Sequence, residues 1–460
     1  MSFNLPHISR KWMIFTVTAN GTFMASLSAG VVNVALPTMA EEFGVSLEDI
    51  QLVVSFYLLL LTCFLPLFGK LSDLFSRKWI YLGGFVAFGV GAFLCALSNS
   101  LPMILFARAI QGIGASAMMG TSQALVASVF HGKSRGQAFG GVGAVVAGGS
   151  LAGPAIGGVL IQAFGWKSIF WLAIPLALIG IWRGIYLIPR FKVRKRAKMD
   201  YGGTLLYLVT SFSFLYALNT AAKRGWTDPF IVGSFVTAAV FFFFFIRREK
   251  KVKDPFLDFS VFKIPAISFG CLVTFLGYTA QLTNSILLPF YLTDIMGMDP
   301  IKIGMLILPF PIMLAVASTI AGNLNAKIPA RILSTVGLCI GATGTLLFAF
   351  IGKNPSVFYI LFAQMVMGLG SGTFQVPNNN TVVSAAPKGK LGVVASINAL
   401  SRNVGMITGI ALSVAIFSLA QKILLSGGTD TVTSFIRAYQ YAMFFGTICA
   451  VTGAVFSSKR

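Results

Sequence analysis

Long apolar runs, interrupted by Gly, Pro or small clusters of charge, recur along the chain at about 12–36, 50–68, 79–97, 101–130, 136–164, 168–188, 201–221, 229–246, 265–293, 300–322, 331–351, 355–385, 391–424 and 433–456. Each is close to or above the roughly 20 apolar residues with which a helix crosses a bilayer core. A membrane barrel would instead show segments of about ten residues alternating in polarity, whereas Phe241 through Ile246 is apolar without a break. The pattern predicts an all-α membrane protein of fourteen helices, here spans 1–14, each satisfying its own backbone polar groups.

Composition removes the soluble alternatives. Of 460 residues, 56% are hydrophobic and 10% charged, against roughly 25% charged in soluble domains. Fourteen spans leave only about ten residues per connection, so no sizeable soluble domain is expected. The formal charge of +22 would suggest a nucleic-acid partner in a soluble chain. Here it serves topology, because Lys and Arg gather in cytoplasmic loops. With the N-terminus inside, 25 basic residues fall in inner segments and seven in outer ones, and Arg108, Arg183 and Arg402 remain within spans. Both termini are therefore expected in the cytoplasm, with the chain multi-pass in the cell membrane.

Candidate chemistry is sparse. Cys63, Cys95, Cys271, Cys339 and Cys449 lie in apolar stretches without CxxC spacing, which predicts neither a disulfide framework nor a metal cluster. His7 and His131 fall in predicted loops. Gly132-Lys133-Ser134 looks like the end of a phosphate loop, but the glycine required five residues earlier is Ala127 and the segment follows a span, not a strand. No catalytic constellation, metal site or cofactor is expected, and the chain reads as a non-enzyme. The first apolar run lacks a small-residue cleavage site and reads as a retained span.

An internal repeat organises the spans. Gly69-Lys70-Leu71-Ser72-Asp73-Leu74-Phe75-Ser76-Arg77-Lys78, between spans 2 and 3, is similar to Gly322 through Arg331, between spans 10 and 11. If each marks the second connection of a six-helix half, the halves are 1–190 and 256–460. Residues 191–255 then hold basic linkers and an inserted hairpin, spans 7 and 8. Repeated halves with a site between them at the membrane midplane are a common build of secondary transporters.

Three motifs carry a family resemblance over essentially the whole chain. Gly69 to Lys78 matches G-x-L-x-D-x-x-x-R-K. Arg108-Ala109-Ile110-Gln111-Gly112-Ile113-Gly114-Ala115 in span 4 matches R-x-x-Q-G-x-G-A. Gly149-Ser150-Leu151-Ala152-Gly153-Pro154-Ala155-Ile156-Gly157-Gly158 in span 5 matches G-x-x-x-G-P-x-x-G-G. With Asn33-Val34-Ala35-Leu36-Pro37 closing span 1 and Pro377-Asn378-Asn379 in span 12, the chain resembles the major facilitator superfamily, in particular its fourteen-spanner drug:proton antiporters. That resemblance implies two six-helix halves plus an inserted hairpin, alternating access, and efflux of lipophilic compounds. It also implies that Asp73 faces the start of span 13, near Leu391, with Arg135 as a further partner.

The residues have physical readings of their own. A carboxylate such as Asp73 suits a helix N-terminus, while Arg77 and Lys78 also read as topology charges. Gly149, Gly153 and Gly157 form a side-chain-free ridge that lets a backbone approach closely, and Pro154 removes one helical hydrogen bond; gate and plain helix packing both fit. Arg108 at mid-span costs on the order of 2.5–3.5 kcal/mol on insertion scales, so it faces either a cavity or a helix-to-helix tie. Polar residues at helical spacing, such as Thr22, Ser26 and Asn33, Tyr278, Gln281 and Ser285, or Gln364, Ser371, Gln375 and Asn378, predict wet faces around a shared cavity. The candidate cargo contacts are Ser26, Asn33, Tyr57, Arg108, Gln111, Tyr278, Gln281, Gln375, Asn378 and Arg402. The candidate gating residues are Asp73, Arg77, Arg135, Gly149, Gly153, Pro154 and Gly157.

One departure bears on coupling and cargo. All thirteen acids fall in loops or at span ends. Where the drug antiporters usually carry an Asp ahead of N-V-A-L-P, this chain has Ser28, which cannot titrate near neutral pH. A neutral or anionic amphiphile is therefore favoured over a cation, which a buried carboxylate would attract. The expected partners are a small-molecule cargo, protons as the candidate coupling ion and the lipid bilayer, without nucleic acid, and the chain is expected to act as a monomer. The competing transport reading is a dedicated carrier for one neutral or anionic metabolite, vitamin or lipid.

Overall fold

The computed structural model describes residues 10–130, 133–189, 199–252, 256, 259–325, 327–387 and 391–460. Among them the chain forms sixteen α-helices and no strand. In order these are α1 (Arg10–Phe43), α2 (Leu47–Ile50), α3 (Leu52–Leu74), α4 (Arg77–Ala96), α5 (Leu101–Val129), α6 (Lys133–Phe164), α7 (Ser168–Leu187), α8 (Tyr201–Arg224), α9 (Pro229–Glu249), α10 (Pro265–Phe290), α11 (Pro300–Ile307), α12 (Pro309–Leu324), α13 (Ala330–Ala349), α14 (Val357–Ser384), α15 (Leu391–Ser426) and α16 (Thr431–Ser458). Thirteen described spans are long and apolar enough to cross a bilayer, and α6 adds the apolar stretch Ala152–Phe164. The expected fourteen spans are thus present. Span 2 is α3 preceded by the single turn α2. Span 10 breaks into α11 and α12 around Leu308, where Pro309 removes a backbone donor.

Helices pair in the same order twice. α1 packs on α6, α3 on α5, and α4 on both α5 and α7; likewise α10 packs on α15, α12 on α14, and α13 on both α14 and α16. These are the two six-helix halves that the repeated loop predicts. Large side chains such as Phe106, Phe164, Trp182 and Phe358 stand exposed on the outside, where lipid rather than water is the fitting solvent. Among the described residues the positive-φ positions, Gly44, Gly165, Gly225, Gly297 and Gly428, turn the chain on the face opposite the termini, where a left-handed step at a helix end suits glycine.

The hairpin α8–α9 leans on both halves through α8, which packs against α3 and α15. Tyr207 Oη donates to Thr62 O at 3.3 Å and Gln51 Nε2 donates to Asn219 O at 3.3 Å. Asp200 caps α8, accepting from Gly203 N at 3.0 Å, and pairs with Arg248 of α9 at 2.7 Å. The Arg248 guanidinium, aided by the Gly203 amide, holds the Asp200 carboxyl below the usual carboxylate range. A depressed folded-state pKa means stabilisation that is present above the ordinary value of about 4 and fades as pH falls through the depressed one. Asp200→Ala is expected to lower the thermal midpoint at neutral pH, as losing a cap costs about 1 kcal/mol. The gap to wild type should close in strong acid.

Candidate functional site

α1 and α10 meet between the halves, where Asn33 Nδ2 donates to Ser285 Oγ at 3.0 Å. Seven residues make nearly two helical turns, so Ser26 shares the Asn33 face of α1 and Tyr278 shares the Ser285 face of α10. Both keep part of their surface exposed. They lie along the seam between the halves, on the termini side of the Asn33–Ser285 contact, and this part-exposed seam is the candidate cleft.

The C-terminal half supplies a polar wall. Gln375 Nε2 on α14 donates to Gln281 Oε1 on α10 at 3.0 Å. The Arg402 guanidinium, on α15, stands beside the Tyr278 phenol, and the Phe374 ring meets Tyr278 edge-on with centroids 6.2 Å apart. Tyr278, Gln281, Gln375 and Arg402 are all half-buried. Arg402 Nε donates to Asn403 Oδ1 at 3.5 Å and the guanidinium also hydrogen-bonds the Tyr278 phenol, both neutral partners. From the N-terminal half, Phe23, Ser26, Gly30 and Phe56 are likewise half-buried.

Asn33 is buried in its contact with Ser285, and four more of the residues expected to touch cargo also sit elsewhere. Arg108 has no exposed surface. Its Nε donates to Val53 O at 2.9 Å, and one terminal nitrogen donates to Ser28 Oγ at 2.9 Å and Gln111 Oε1 at 2.6 Å. The guanidinium lies 4.0 Å from the Tyr57 ring centroid. Tyr57 and Gln111 are equally buried. In this conformation these three tie α1, α3 and α5 together instead of lining the cleft, because every acceptor in reach belongs to a neighbouring helix or the same one. Ser28, the departure noted in span 1, is a direct partner of Arg108. Asn378 is 1% exposed and bonds Thr274 Oγ1 at 2.8 Å and Gly270 O at 3.0 Å, while accepting from Arg460 at 2.5 Å. Sequence spacing gives no sign of Arg460, which lies 82 residues away.

The face away from the termini is sealed. Val31 through Pro37 on α1 and Ile286 through Leu292 around the end of α10 are buried without a gap. Gly149, Gly153 and Gly157 line α1; a Cβ on Gly153 would sit 2.9 Å from Val31 N. The next glycine turns to the other half: a Cβ on Gly158 would lie 2.7 Å from Pro300 O, and one on Gly304 2.6 Å from Pro154 O. Backbone therefore meets backbone between α6 and α11. Gly304 was not among the expected gating residues; its only sequence signal is a glycine in the first turns of an apolar helix. Arg77 has interaction partners, and its neighbour Lys78 donates Nζ to Ile185 O at 2.5 Å. The side chains of Asp73 and Arg135 lie outside the described residues.

A family profile, that of the Major Facilitator Superfamily, matches residues 18–410, with a second match over 268–457. The chain is 31% identical over 412 residues to the riboflavin transporter RibZ of Clostridioides difficile (strain 630), covering 89% of each protein. It is 30% identical over 400 residues to the multidrug resistance protein Stp of Mycobacterium tuberculosis (strain CDC 1551 / Oshkosh), covering 86% of this chain and 74% of that one. Among solved structures, the POT family transporter PepTSo matches with a TM-score of 0.69 over 97% of this chain and 98% of that one, at 14% identity, a likeness of fold.

Proposed function

Because the chain belongs to the Major Facilitator Superfamily, we propose that it is a secondary transporter that exports neutral or anionic amphiphilic small molecules by alternating access. Residues 1–190 and 256–460 move as the two bodies, and the termini face is the cytoplasmic one, as the distribution of Lys and Arg favours. The observation that carries this reading is the set of side chains along the seam between the halves. Its polar wall has a partly exposed guanidinium, Arg402, with two amides and a phenol, and the sequence pattern puts the thirteen acids in loops or at span ends. In a partly dry cleft such a charge attracts anions and repels cations by energies of the order of a few kcal/mol. Proton coupling is peripheral or absent for the same reason.

Two cargo ranges remain, and each has support. Aromatic rings from both halves, Phe23, Phe56 and Tyr278, favour a broad multidrug range, as in the printed name of Stp. The fixed Gln375–Gln281 bond beside Arg402 favours one dedicated amphiphile, as in the printed name of RibZ. Purified protein in liposomes, offered a panel of neutral, anionic and cationic lipophiles including a flavin, separates them. Mutual competition by many unrelated compounds marks the broad range, whereas a dedicated site rejects most of them. Preferential transport of cations, or uptake that tracks an imposed pH gradient, would overturn the proposal. Arg402→Ala should raise KM for anionic cargo about tenfold or more while leaving neutral cargo nearly unchanged.

A further inference from the structure

α9 is the least covered of the described spans, and its bare face changes chemistry at one point. Val232, Val236, Val240, Phe243, Arg247 and Lys250 are all exposed and follow one another at intervals of three or four residues, so they form a single stripe along the helix. The opposite face, with Ile231, Ala238, Phe245 and Glu249, is buried. Apolar side chains end at Phe243, and from Arg247 onward the stripe is cationic, with Lys251 beside it and also exposed. The described acids at this end of the hairpin are committed elsewhere. Asp200 holds Arg248 at 2.7 Å, and Glu249, on the buried face, accepts from Phe256 N at 3.1 Å; Asp254 and Asp258 lie outside the described residues. Among the described residues no ion pair is made by Arg247, Lys250 or Lys251. Topology does not call for this concentration of charge. Twelve of the 25 inner basic residues fall within 190–200 and 247–263, against four acids, and the other inner segments already outweigh the seven outer basic residues.

We infer that the stripe on α9 is a binding site for one anionic phospholipid of the leaflet on the termini side. Its acyl chains lie along Val232, Val236, Val240 and Phe243, and its phosphate sits among Arg247, Lys250 and Lys251. From Val232 to Phe243 the helix rises about 16 Å, close to half of a hydrocarbon core of about 30 Å, which is the reach of one leaflet's chains. A zwitterionic lipid offers the same chains but brings its own ammonium, so it leaves the three cations unanswered. A soluble phosphate offers the charge without the chains. Because α9 packs on α8, and α8 on α3 and α15 of the two halves, a lipid held here braces the element that spans them. The site stands whatever the cargo is.

Native mass spectrometry of the full chain in detergent, titrated in parallel with phosphatidylglycerol and phosphatidylcholine of identical chains, reads the binding directly. Wild type should hold one phosphatidylglycerol roughly tenfold or more tightly than phosphatidylcholine, since each surface cation favours an anionic lipid. Arg247→Gln, Lys250→Gln and Lys251→Gln combined should erase that preference. Lys327→Gln with Arg331→Gln, which removes two exposed charges on the same side of the protein, should leave it intact. All five positions are exposed, and thermal unfolding checks that both variants are folded. Glycerol phosphate, without chains, should not compete. A photoactivatable phosphatidylglycerol should label residues 232–250 of wild type, a readout that needs no variant. Equal affinity for the two lipids, a preference lost as fully in the Lys327/Arg331 variant, competition by glycerol phosphate, or label found elsewhere but not on α9 would overturn the inference.

Discussion

Gly304→Val is expected to insert and fold but to lose transport by roughly tenfold or more. A Cβ at this position lies 2.6 Å from the Pro154 carbonyl of the opposite half, and a carbonyl on a packed helix cannot rotate away like a side chain. Overpacking of this kind costs about 1–3 kcal/mol, and each 1.4 kcal/mol shifts an equilibrium about tenfold. Only the conformation sealed on the face away from the termini carries the cost, because there α6 and α11 touch. The population therefore moves towards a state opened on that face, and a carrier held in one state turns over slowly. Ser285→Cys, placed beside Asn33, reports the shift: a membrane-impermeant maleimide added on that face should label it faster in the Gly304→Val background. Gly233→Val is the control, since a Cβ there meets nothing within 4 Å. Unchanged transport together with unchanged labelling would remove α6–α11 from the gate.

The contrast between Gly304 and the glycines foreseen on α6 illustrates what the sequence encodes legibly. Span number, pairing of the halves and the position of the inserted hairpin follow from run length, a repeated loop and two basic clusters, all properties of contiguous residues. The G-x-x-x-G ridge is equally local, and it packs on α1 as its spacing suggests. Gly304 acquires its meaning only from Pro154, on a helix of the other half, and no local pattern announces that. The polar stripes divide for the same reason. Tyr278, Gln281, Gln375 and Arg402 stay partly exposed, whereas Asn378 turns to Thr274 and Arg460. Helical spacing says that residues share a face; which neighbour covers that face is decided by tertiary packing. Arg108 could be read as important from its cost at mid-span, but not as enclosed, because its bonds run to Val53 and Ser28 on two other spans.

Arg108→Ala is expected to reduce transport by the order of a hundredfold while the protein still inserts and unfolds cooperatively. Removing the guanidinium takes donors from Ser28 Oγ and Gln111 Oε1, each buried, and an orphaned buried polar group costs about 1–3 kcal/mol. Loss of the buried charge offsets part of this, so the N-terminal half survives. What it loses is the tie between α1 and its neighbours. α1 carries both Ser26, at the cleft, and Asn33, in the seal, so slack in its register reaches cargo wall and gate together. Since Arg108 has no surface on the cleft in this conformation, the cost should fall on turnover. Cargo affinity of the detergent-solubilised variant should stay within about threefold of wild type. Arg108→Lys should rescue little, because an ammonium on a flexible stem cannot serve Val53, Ser28 and Gln111 in one plane. A variant that transports normally, or one whose cargo binding collapses with its turnover, would show that Arg108 is not a tie but either dispensable or a direct cargo contact in another conformation.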